Sequence, residues 1–266
     1  MAHAIITGGS SGIGLAIARI LAKSGHDLTL IARGEDRLKA AQTELNVLCQ
    51  HPEQKIAMRP VDVSDYEQVQ VEINAAIDKL GSPSDVYLSA GIVDPGYFKD
   101  LEIDKFRNNM DVNYFGCVHV SKAVLPSMIQ KHGGKIILIS SAAGLIGLWG
   151  YGAYSPSKFA LHGLGEVLRA ELKPHNIQIS VVFPPDTDTP QFQAEKKIRP
   201  KETDVIAGSA KVWPADKLAE HVVRKVNSGR FLVTPGLEIT ALSLFKSLVS
   251  PLLNLWFDFL VKVKCH

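Results

Sequence analysis

Two hydrophobic patterns alternate along the whole chain: short apolar runs, and longer stretches with an apolar residue every three or four positions. The short runs are rich in β-branched residues and predict strands at 3–7, 28–32, 56–61, 85–90, 135–140, 177–183 and 231–233. The longer stretches predict helices near 12–24, 35–48, 66–80, 101–130, 153–173 and 215–228. Because strands that alternate with helices form covered parallel sheets, we predict an α/β fold with a doubly wound, seven-stranded parallel sheet.

A glycine-rich turn follows the first predicted strand and precedes the first predicted helix. Its glycines are spaced Gly-x-x-x-Gly-x-Gly, which lets the backbone approach a pyrophosphate at the positive end of the helix. The alternative is an ordinary strand-to-helix turn, but the position directly after the first strand favours nucleotide binding. The candidate contacts in this turn are Gly8, Ser10, Ser11, Gly12, Ile13 and Gly14.

A tyrosine and a lysine, Tyr154 and Lys158, lie one helical turn apart on the same face of a predicted helix. An ammonium beside a phenol favours the phenolate, so we expect the pKa of Tyr154 to lie below its ordinary value of about 10. Such a tyrosine is a positioned general acid for a carbonyl oxygen. The same spacing occurs on ordinary surface helices, but here Ser141 lies thirteen residues upstream of Tyr154.

These motifs, with Asn113 between them, resemble the short-chain dehydrogenase/reductase family over roughly residues 3–235. The resemblance implies a Rossmann-like fold with helices on both faces and a catalytic tetrad of Asn113, Ser141, Tyr154 and Lys158. It implies that Tyr154 donates a proton to a ketone oxygen held by Ser141. It also implies that Lys158 binds the nicotinamide ribose and that Asn113 organises a water relay to Lys158. The alternative for Asn113 is a helix-interior amide satisfied by the backbone.

An arginine, Arg33, ends the second predicted strand, where an acidic residue would bind the ribose diol of NAD. Arginine pairs instead with the 2′-phosphate of NADP, so we predict NADPH as the cofactor. Arg37 either adds a second positive charge or lies on a solvated helix face. Asp62 and Val63 end the third strand and resemble the family's contact to the adenine amide.

Two loops match the family pattern with departures. After the fourth strand, Ala90 and Gly91 let the backbone approach the cofactor, while Leu88 and Ser89 replace two asparagines, the first of which usually braces the central sheet. After the sixth strand, a proline and two threonines fit the family's grip on the nicotinamide carboxamide, although Pro185 replaces a glycine. The alternative there is a rigid proline turn. The candidate contacts after the sixth strand are Pro184, Thr187 and Thr189.

The segments 30–38, 153–160 and 184–190 resemble a group within the family that reduces the 3-keto group of long-chain sphingoid bases with NADPH. The resemblance therefore implies an NADPH-dependent ketoreductase whose substrate is a long-chain keto lipid. Another lipophilic ketone, such as a steroid or a 3-oxoacyl chain, is the alternative substrate. A non-catalytic nucleotide-binding protein is the alternative from another functional class.

We predict a catalytic domain over 1–236 and a hydrophobic tail over 237–266. Within the domain, 190–214 is predicted to be a substrate loop, either a lid near an anionic lipid surface or a solvated loop. Its basic residues are Lys196, Lys197, Arg199 and Lys201. The uncharged part of the tail, 247–257, has eleven residues, whereas spanning a bilayer takes about 20.

We therefore expect the tail to lie in a membrane interface, with Trp256 at headgroup depth. The alternatives are a subunit contact and a cover for a lipid-tail pocket. The first strand leaves no room for a signal peptide, so we expect a peripheral protein on the cytoplasmic side of a membrane. That membrane would be the endoplasmic reticulum in a eukaryote or the inner membrane in a bacterium. The family resemblance also implies a homodimer or homotetramer.

Charge and cysteine content exclude several classes of function. The formal net charge is +2 without a dense basic stripe, so we expect no nucleic-acid partner. Nine histidines without a ligand cluster predict no catalytic metal. The three cysteines, Cys49, Cys117 and Cys265, also lack metal-ligand spacing and suit a reducing compartment.

Overall fold

The computed structural model describes residues 1–207 and 211–264, so Cys265 and part of the predicted substrate loop lie outside the described residues. The strands are β1 His3–Thr7, β2 Asp27–Ala32, β3 Ile56–Pro60, β4 Asp85–Leu88, β5 Gly134–Ile139, β6 Ile177–Val182, β7 Thr187–Asp188, β8 Trp213–Pro214 and β9 Leu232–Val233. Seven of them form one sheet in the order β3-β2-β1-β4-β5-β6-β9, and every pairing in it is parallel. The predicted seven-stranded, doubly wound sheet is confirmed.

Helices cover both faces of this sheet. They are α1 Gly12–Lys23, α2 Glu35–Asn46, α3 Tyr66–Leu80, α4 Ile103–Met110, α5 Gly116–Gln130, α6 Tyr154–Leu172, α7 Pro190–Glu195, α8 Lys201–Ala207, α9 Ala215–Asn227 and α10 Leu237–Lys264. One core packs α1, α2 and α9 against the sheet, and the other packs α3, α5 and α6. Because both faces are buried, the strands read as nearly continuous apolar runs rather than alternating ones.

The single helix predicted over 101–130 is interrupted. Helix α4 ends at Met110, and a π-helical turn over Asp111–Phe115 joins it to α5. A π turn adds one residue to the helical repeat, and such turns are frequent at functional sites. Here the turn contains Asn113, which is fully buried.

The carboxyl ends of the central strands are joined by one side chain. Thr7 pairs with Ile31 of β2 on one side and Leu88 of β4 on the other. Its Oγ1 accepts hydrogen bonds from the backbone N–H groups of Ser89 and Ala90, at 3.0 Å each. The loops after β1, β2 and β4 therefore open at one edge, and the Thr7 hydroxyl braces the backbone directly after Leu88, which replaces the family's first asparagine.

The segment 190–214 is not a structureless loop. Its described part contains α7, α8 and β8, and β8 pairs with β7. Lys196 and Lys197 are exposed as expected, but the Arg199 side chain is only 3% exposed. Arg199 fits neither the lid near a lipid surface nor the solvated loop, because Asp186, Glu195 and Asp204 pair with its side chain inside the protein.

Helix α10 has two halves, Leu237–Leu248 and Pro251–Lys264, that meet at 110°. Among the described residues no single helix is long and apolar enough to cross a membrane, although these two halves taken together pass that test of length and composition. The first half packs on α6, where the Lys246 Nζ lies 4.3 Å from the centroid of the Phe159 ring. The second half packs on α8, with Val261 against Ile206.

Candidate active site

Three adjoining cavities lie at the carboxyl edge of the sheet. The Arg33 cavity has a volume of about 350 Å³, and its lining includes Gly8, Ser10, Ser11, Arg33, Arg37, Asp62, Val63, Ala90 and Gly91. The Lys158 cavity, of about 150 Å³, is lined by Gly8, Ser11, Gly12, Ile13, Gly91, Tyr154, Lys158 and Thr189, among others. The Ser141 cavity, of about 110 Å³, includes Ile13, Ser141, Tyr154, Pro184, Thr187 and Thr189 in its lining. Almost every predicted site residue therefore lines one of the three.

Two glycine positions in and after the turn between β1 and α1 leave no room for a side chain. A Cβ on Gly8 would lie 2.8 Å from the Ser89 carbonyl oxygen, and a Cβ on Gly14 would overlap the Gly8 carbonyl oxygen. Gly8 and Gly12 have φ angles of +66° and +55°, which other residues rarely adopt. The turn thus brings bare backbone and the N-terminus of α1 to the cavities, as an anion site requires.

Two guanidinium groups give the Arg33 cavity a positive wall. The Arg33 side chain is 63% exposed, and its Nη1 lies 3.9 Å from Asp62 Oδ2. The other carboxylate oxygen of Asp62 accepts hydrogen bonds from the N–H and the hydroxyl of Ser64. Arg37 lines the same cavity from α2. Because Arg33 makes only a long ion pair with Asp62, it retains capacity for a second anion.

Lys158, Asn113 and Gly91 converge in the Lys158 cavity. The Lys158 Nζ donates a hydrogen bond to the Ile139 carbonyl oxygen at 3.1 Å. A Cβ on Gly91 would lie 3.2 Å from that Nζ and 3.1 Å from Asn113 Oδ1. A side chain at position 91 would therefore crowd both groups.

The Asn113 amide is satisfied by its neighbours and still lies beside Lys158. Its Oδ1 accepts from the Ile92 N–H, while its Nδ2 donates to the Ile92 carbonyl oxygen and to Ser157 Oγ. The two hydrogen bonds to the Ile92 backbone agree with the alternative prediction, a helix-interior amide satisfied by the backbone. The water relay through Asn113 stays a prediction.

Tyr154 and Ser141 meet at the boundary of two cavities. Tyr154 begins α6, and its ring centroid lies 5.7 Å from the Lys158 Nζ. Burial raises the pKa of Tyr154, and a hydrogen bond with Ser141 opposes that rise. Burial also lowers the pKa of Lys158 to about 8. The predicted lowering of the Tyr154 pKa is wrong in this structure, because the loss of solvent around a phenolate outweighs the opposing contacts.

The loop after β6 closes the Ser141 cavity. The Pro184 carbonyl oxygen accepts from the Ala142 N–H at 2.8 Å. Thr187 is buried and donates to the Pro185 carbonyl oxygen, and Thr189 Oγ1 accepts from the Phe192 N–H to cap α7. These hydrogen bonds hold the side chains of Thr187 and Thr189 in place beside the turn at Pro184. The proline at position 185 predicts a stiff loop here.

Three residues of the Ser141 cavity were missed by sequence reasoning: Asp186, Glu195 and Tyr151. The Tyr151 hydroxyl donates to Glu195 Oε1, and its ring makes an edge contact with Tyr154 at 5.5 Å between centroids. The four-residue spacing of Glu195 and Arg199 was an available signal of an ion pair on one helical face. The predicted alternatives for that segment were a lid near a lipid surface and a solvated loop.

The family model described as short chain dehydrogenase matches residues 2–200. The chain belongs to this family. It is 42% identical over 255 residues to the 3-dehydrosphinganine reductase of Danio rerio, covering 96% of this chain and 77% of that one. It is 42% identical over 231 residues to the 3-ketodihydrosphingosine reductase of Bos taurus, covering 86% and 70%. The protein named 3-ketodihydrosphingosine reductase in Dictyostelium discoideum is 35% identical over 281 residues, covering 95% and 84%.

Solved structures share the same fold. A short-chain dehydrogenase from Streptomyces avermitilis superposes with a TM-score of 0.81, at 22% identity, covering 97% of this chain and 96% of that one. Levodione reductase superposes with a TM-score of 0.78, at 22% identity, covering 87% and 95%. At this identity the likeness supports the Rossmann-like fold of the family.

The residues present fit a nicotinamide dinucleotide. The bare-backbone turn from Gly8 to Gly14 suits a pyrophosphate, and Asp62 and Val63 are placed to meet an adenine ring. Lys158 lines the adjoining cavity, where its N–H groups would bind a ribose diol. When bound, the dinucleotide supplies the hydride, and the protein supplies position and electrostatics.

Proposed function

We propose that this protein is an NADPH-dependent ketoreductase that converts 3-ketodihydrosphingosine, a long-chain sphingoid base, to dihydrosphingosine in sphingolipid synthesis. The observation that carries the proposal is the Ser141, Tyr154 and Lys158 site beside the glycine turn, in a chain 42% identical to the Danio rerio reductase. The fold alone does not define a substrate, so the assignment depends on the site and on these relatives.

The site has the groups that ketone reduction needs. Tyr154 is half-buried, and its raised pKa keeps the proton on the hydroxyl at neutral pH, so that it can be donated to the ketone oxygen. The Ser141 hydroxyl, next to Tyr154, donates a hydrogen bond to the same oxygen as charge develops on it. The Lys158 ammonium lies behind the tyrosine and stabilises the phenolate that remains.

NADPH is proposed over NADH because of the charge at the Arg33 cavity. The 2′-phosphate that distinguishes NADPH is an acceptor for guanidinium groups. Arg33 and Arg37 present two such groups on one wall. Asp62, the acidic residue near them, is held by the Ser64 N–H and hydroxyl.

We also propose that α10 rests on a membrane surface. Five exposed side chains form one stripe along its second half, called here the α10 apolar face: Leu252, Leu255, Trp256, Phe259 and Val263. Their helical spacing places them on one side, and exposed Lys262 and Lys264 lie beside them. A helix with apolar and basic groups in this arrangement binds in the plane of an interface. The substrate is a long-chain lipid, so the same surface supplies it.

The membrane proposed is the endoplasmic reticulum of a eukaryote or the inner membrane of a bacterium, approached from the cytoplasmic side. A homodimer or homotetramer is proposed through α5 and α6, as in the family resemblance. Exposed apolar Phe115, just before α5, and Val167 on α6 support a contact there.

The experiment is NADPH oxidation by the purified protein with 3-ketodihydrosphingosine in detergent micelles, with NADH run in parallel. Turnover that prefers NADPH supports the proposal. Turnover only with a steroid or a 3-oxoacyl chain would keep the reductase and refute the sphingoid substrate. Dinucleotide binding without turnover on any ketone would favour the non-catalytic alternative.

A further inference from the structure

Two carboxylates line the cavity in which the ketone would react. Asp186, from the loop after β6, and Glu195, at the end of α7, border the Ser141 cavity together with Ser141 and Tyr154. Their side chains are 28% and 11% exposed. Both carboxylates act electrostatically on the Tyr154 hydroxyl, which they make harder to ionise. Negative charge beside a proton donor that must become a phenolate works against the reaction unless something compensates for it.

The compensation inside the protein is incomplete. Arg199 is buried behind the two carboxylates, with its Nη1 3.6 Å from Asp186 Oδ2 and 3.7 Å from Glu195 Oε1. Its Nε is paired at 2.6 Å with a third carboxylate, Asp204. The buried Nη1 is directed at the two cavity carboxylates but lies beyond hydrogen-bond distance of both. Among the described residues, Arg199 is the cation paired with all three carboxylates, and Lys196 acts more weakly on Asp186. Burial raises the pKa of Asp186 and of Glu195.

The proposed substrate carries the missing charge. A sphingoid keto base has an amine on the carbon next to its ketone, and its ammonium form has three N–H donors and no acceptor. When Tyr154 and Ser141 hold the ketone oxygen, this neighbouring group must lie within the same small cavity. The carboxylates are the groups in that cavity that an ammonium pairs with.

We propose that Asp186 and Glu195 bind the ammonium group adjacent to the reacting ketone and so select amino ketones over neutral ketones. This inference rests on the proposed function. Tyr151 orients Glu195 through its hydroxyl, and Arg199 holds both carboxylates from the protein side. The bound ammonium also offsets their effect on Tyr154, so a neutral ketone loses both binding and proton transfer.

The test compares Asp186→Asn and Glu195→Gln with the wild type on two substrates in the same micelles. One is 3-ketodihydrosphingosine, and the other is the ketone of equal chain length that lacks the amine. We expect kcat/KM on the amino ketone to fall about 10- to 100-fold in each variant, as for a lost charged hydrogen bond. We expect the des-amino ketone to react at an unchanged or higher rate.

Asp204→Asn is the matched control. It removes one carboxylate that pairs with Arg199, as the other two variants do, but Asp204 lies outside the lining of the Ser141 cavity. It should change kcat/KM for the two ketones by the same factor. The Glu195→Gln side chain keeps an oxygen that can accept the hydrogen bond from the Tyr151 hydroxyl. NADPH titration and a thermal melt verify that each variant folds. Equal losses on the two ketones in Asp186→Asn and Glu195→Gln would overturn the inference.

Binding of dihydrosphingosine separates this inference from the proposed function, because that molecule carries the ammonium but no ketone to reduce. Tighter binding to the wild type than to Glu195→Gln supports the ammonium site even if the wild type reduces neither ketone. In that case the proposed reaction is refuted, and the ammonium site is retained. Equal affinity of the wild type and Glu195→Gln for dihydrosphingosine would overturn the ammonium site. The proposed reaction would then still be judged by turnover of the ketone.

Discussion

The Thr189 side chain lies directly over Gly12. A Cβ on Gly12 would lie 3.2 Å from Thr189 Cγ2, and Gly12 itself has a φ of +55°. Thr189 caps α7 through its hydroxyl, so this one contact joins the turn after β1 to the helix that bears Glu195. The two halves of the proposed cofactor site therefore depend on the absence of a side chain at Gly12.

Gly12→Ala should weaken dinucleotide binding about tenfold or more and lower the free energy of unfolding by about 1–2 kcal/mol, because it adds backbone strain and crowds Thr189. Fluorescence titration with NADPH and denaturant unfolding measure the two effects. Gly229→Ala is the control, since Gly229 has a φ of +78° and its Cβ would meet only Gln178 Nε2, at 3.9 Å. It should lose stability but not affinity. Equal NADPH affinity in Gly12→Ala and the wild type would contradict the assigned role.

Tyr154→Phe should lower kcat by about 10²- to 10⁴-fold, the usual contribution of a general acid. NADPH affinity should stay near the wild-type value, because the ring and its edge contact with Tyr151 remain. Steady-state kinetics and NADPH titration check the two parts. Tyr66→Phe, on α3 against His119, is a matched loss of a hydroxyl elsewhere and should leave kcat unchanged. Turnover that survives in Tyr154→Phe would refute the catalytic role.

Arg33→Glu should lower the ratio of kcat/KM for NADPH to that for NADH by about 100-fold, because the change replaces attraction for the 2′-phosphate with repulsion. The ratio is measured from initial rates with each cofactor. Arg107→Glu introduces the same charge change at an exposed site on α4 and should not alter the ratio. An unchanged ratio in Arg33→Glu would assign cofactor choice to another group.

Lys158→Met should change the pH dependence of stability. Burial lowers the folded-state pKa of Lys158 to about 8 from 10.5 in the unfolded chain. Between these two values the unfolded state binds more protons, so wild-type stability gains with rising pH, by about 3 kcal/mol in total. The variant lacks this gain, so its stability relative to the wild type should fall from pH 8 to 10.5. Denaturant unfolding across that range tests the sign, with exposed Lys122→Met as the control. A stability difference between Lys158→Met and the wild type that stays constant with pH would show that folding does not lower the pKa of Lys158.

Replacing Leu255, Trp256 and Phe259 with Ser should reduce binding to vesicles that contain anionic lipid by about tenfold or more, because each side chain contributes apolar area to the α10 apolar face. Co-sedimentation measures the bound fraction. Val71→Ser, an exposed apolar position on α3, should leave that fraction unchanged. Full binding by the triple variant would exclude this face as the membrane contact.

Local patterns were sufficient for most of the fold and for predicting that Ser141, Tyr154 and Lys158 lie at one site. The strands and the glycine turn could be predicted because their signals lie within a few residues. The π turn around Asn113 could not, since it depends on packing against Ile92 and Ser157. The buried state of Arg199 depends on Asp186, thirteen residues earlier in the chain. The pKa of Tyr154 likewise depends on burial, which cannot be predicted from the residues next to it in the sequence.

Helix α10 contacts both the helix that begins with the proposed catalytic tyrosine and helix α8. Its first half lies on α6, which begins with Tyr154, and its second half lies on α8 beside Ile206. The proposed lipid contact and the support of the helix that begins with Tyr154 therefore share one structural element. Exchanging this tail for another anchor would also remove a packing partner of that helix.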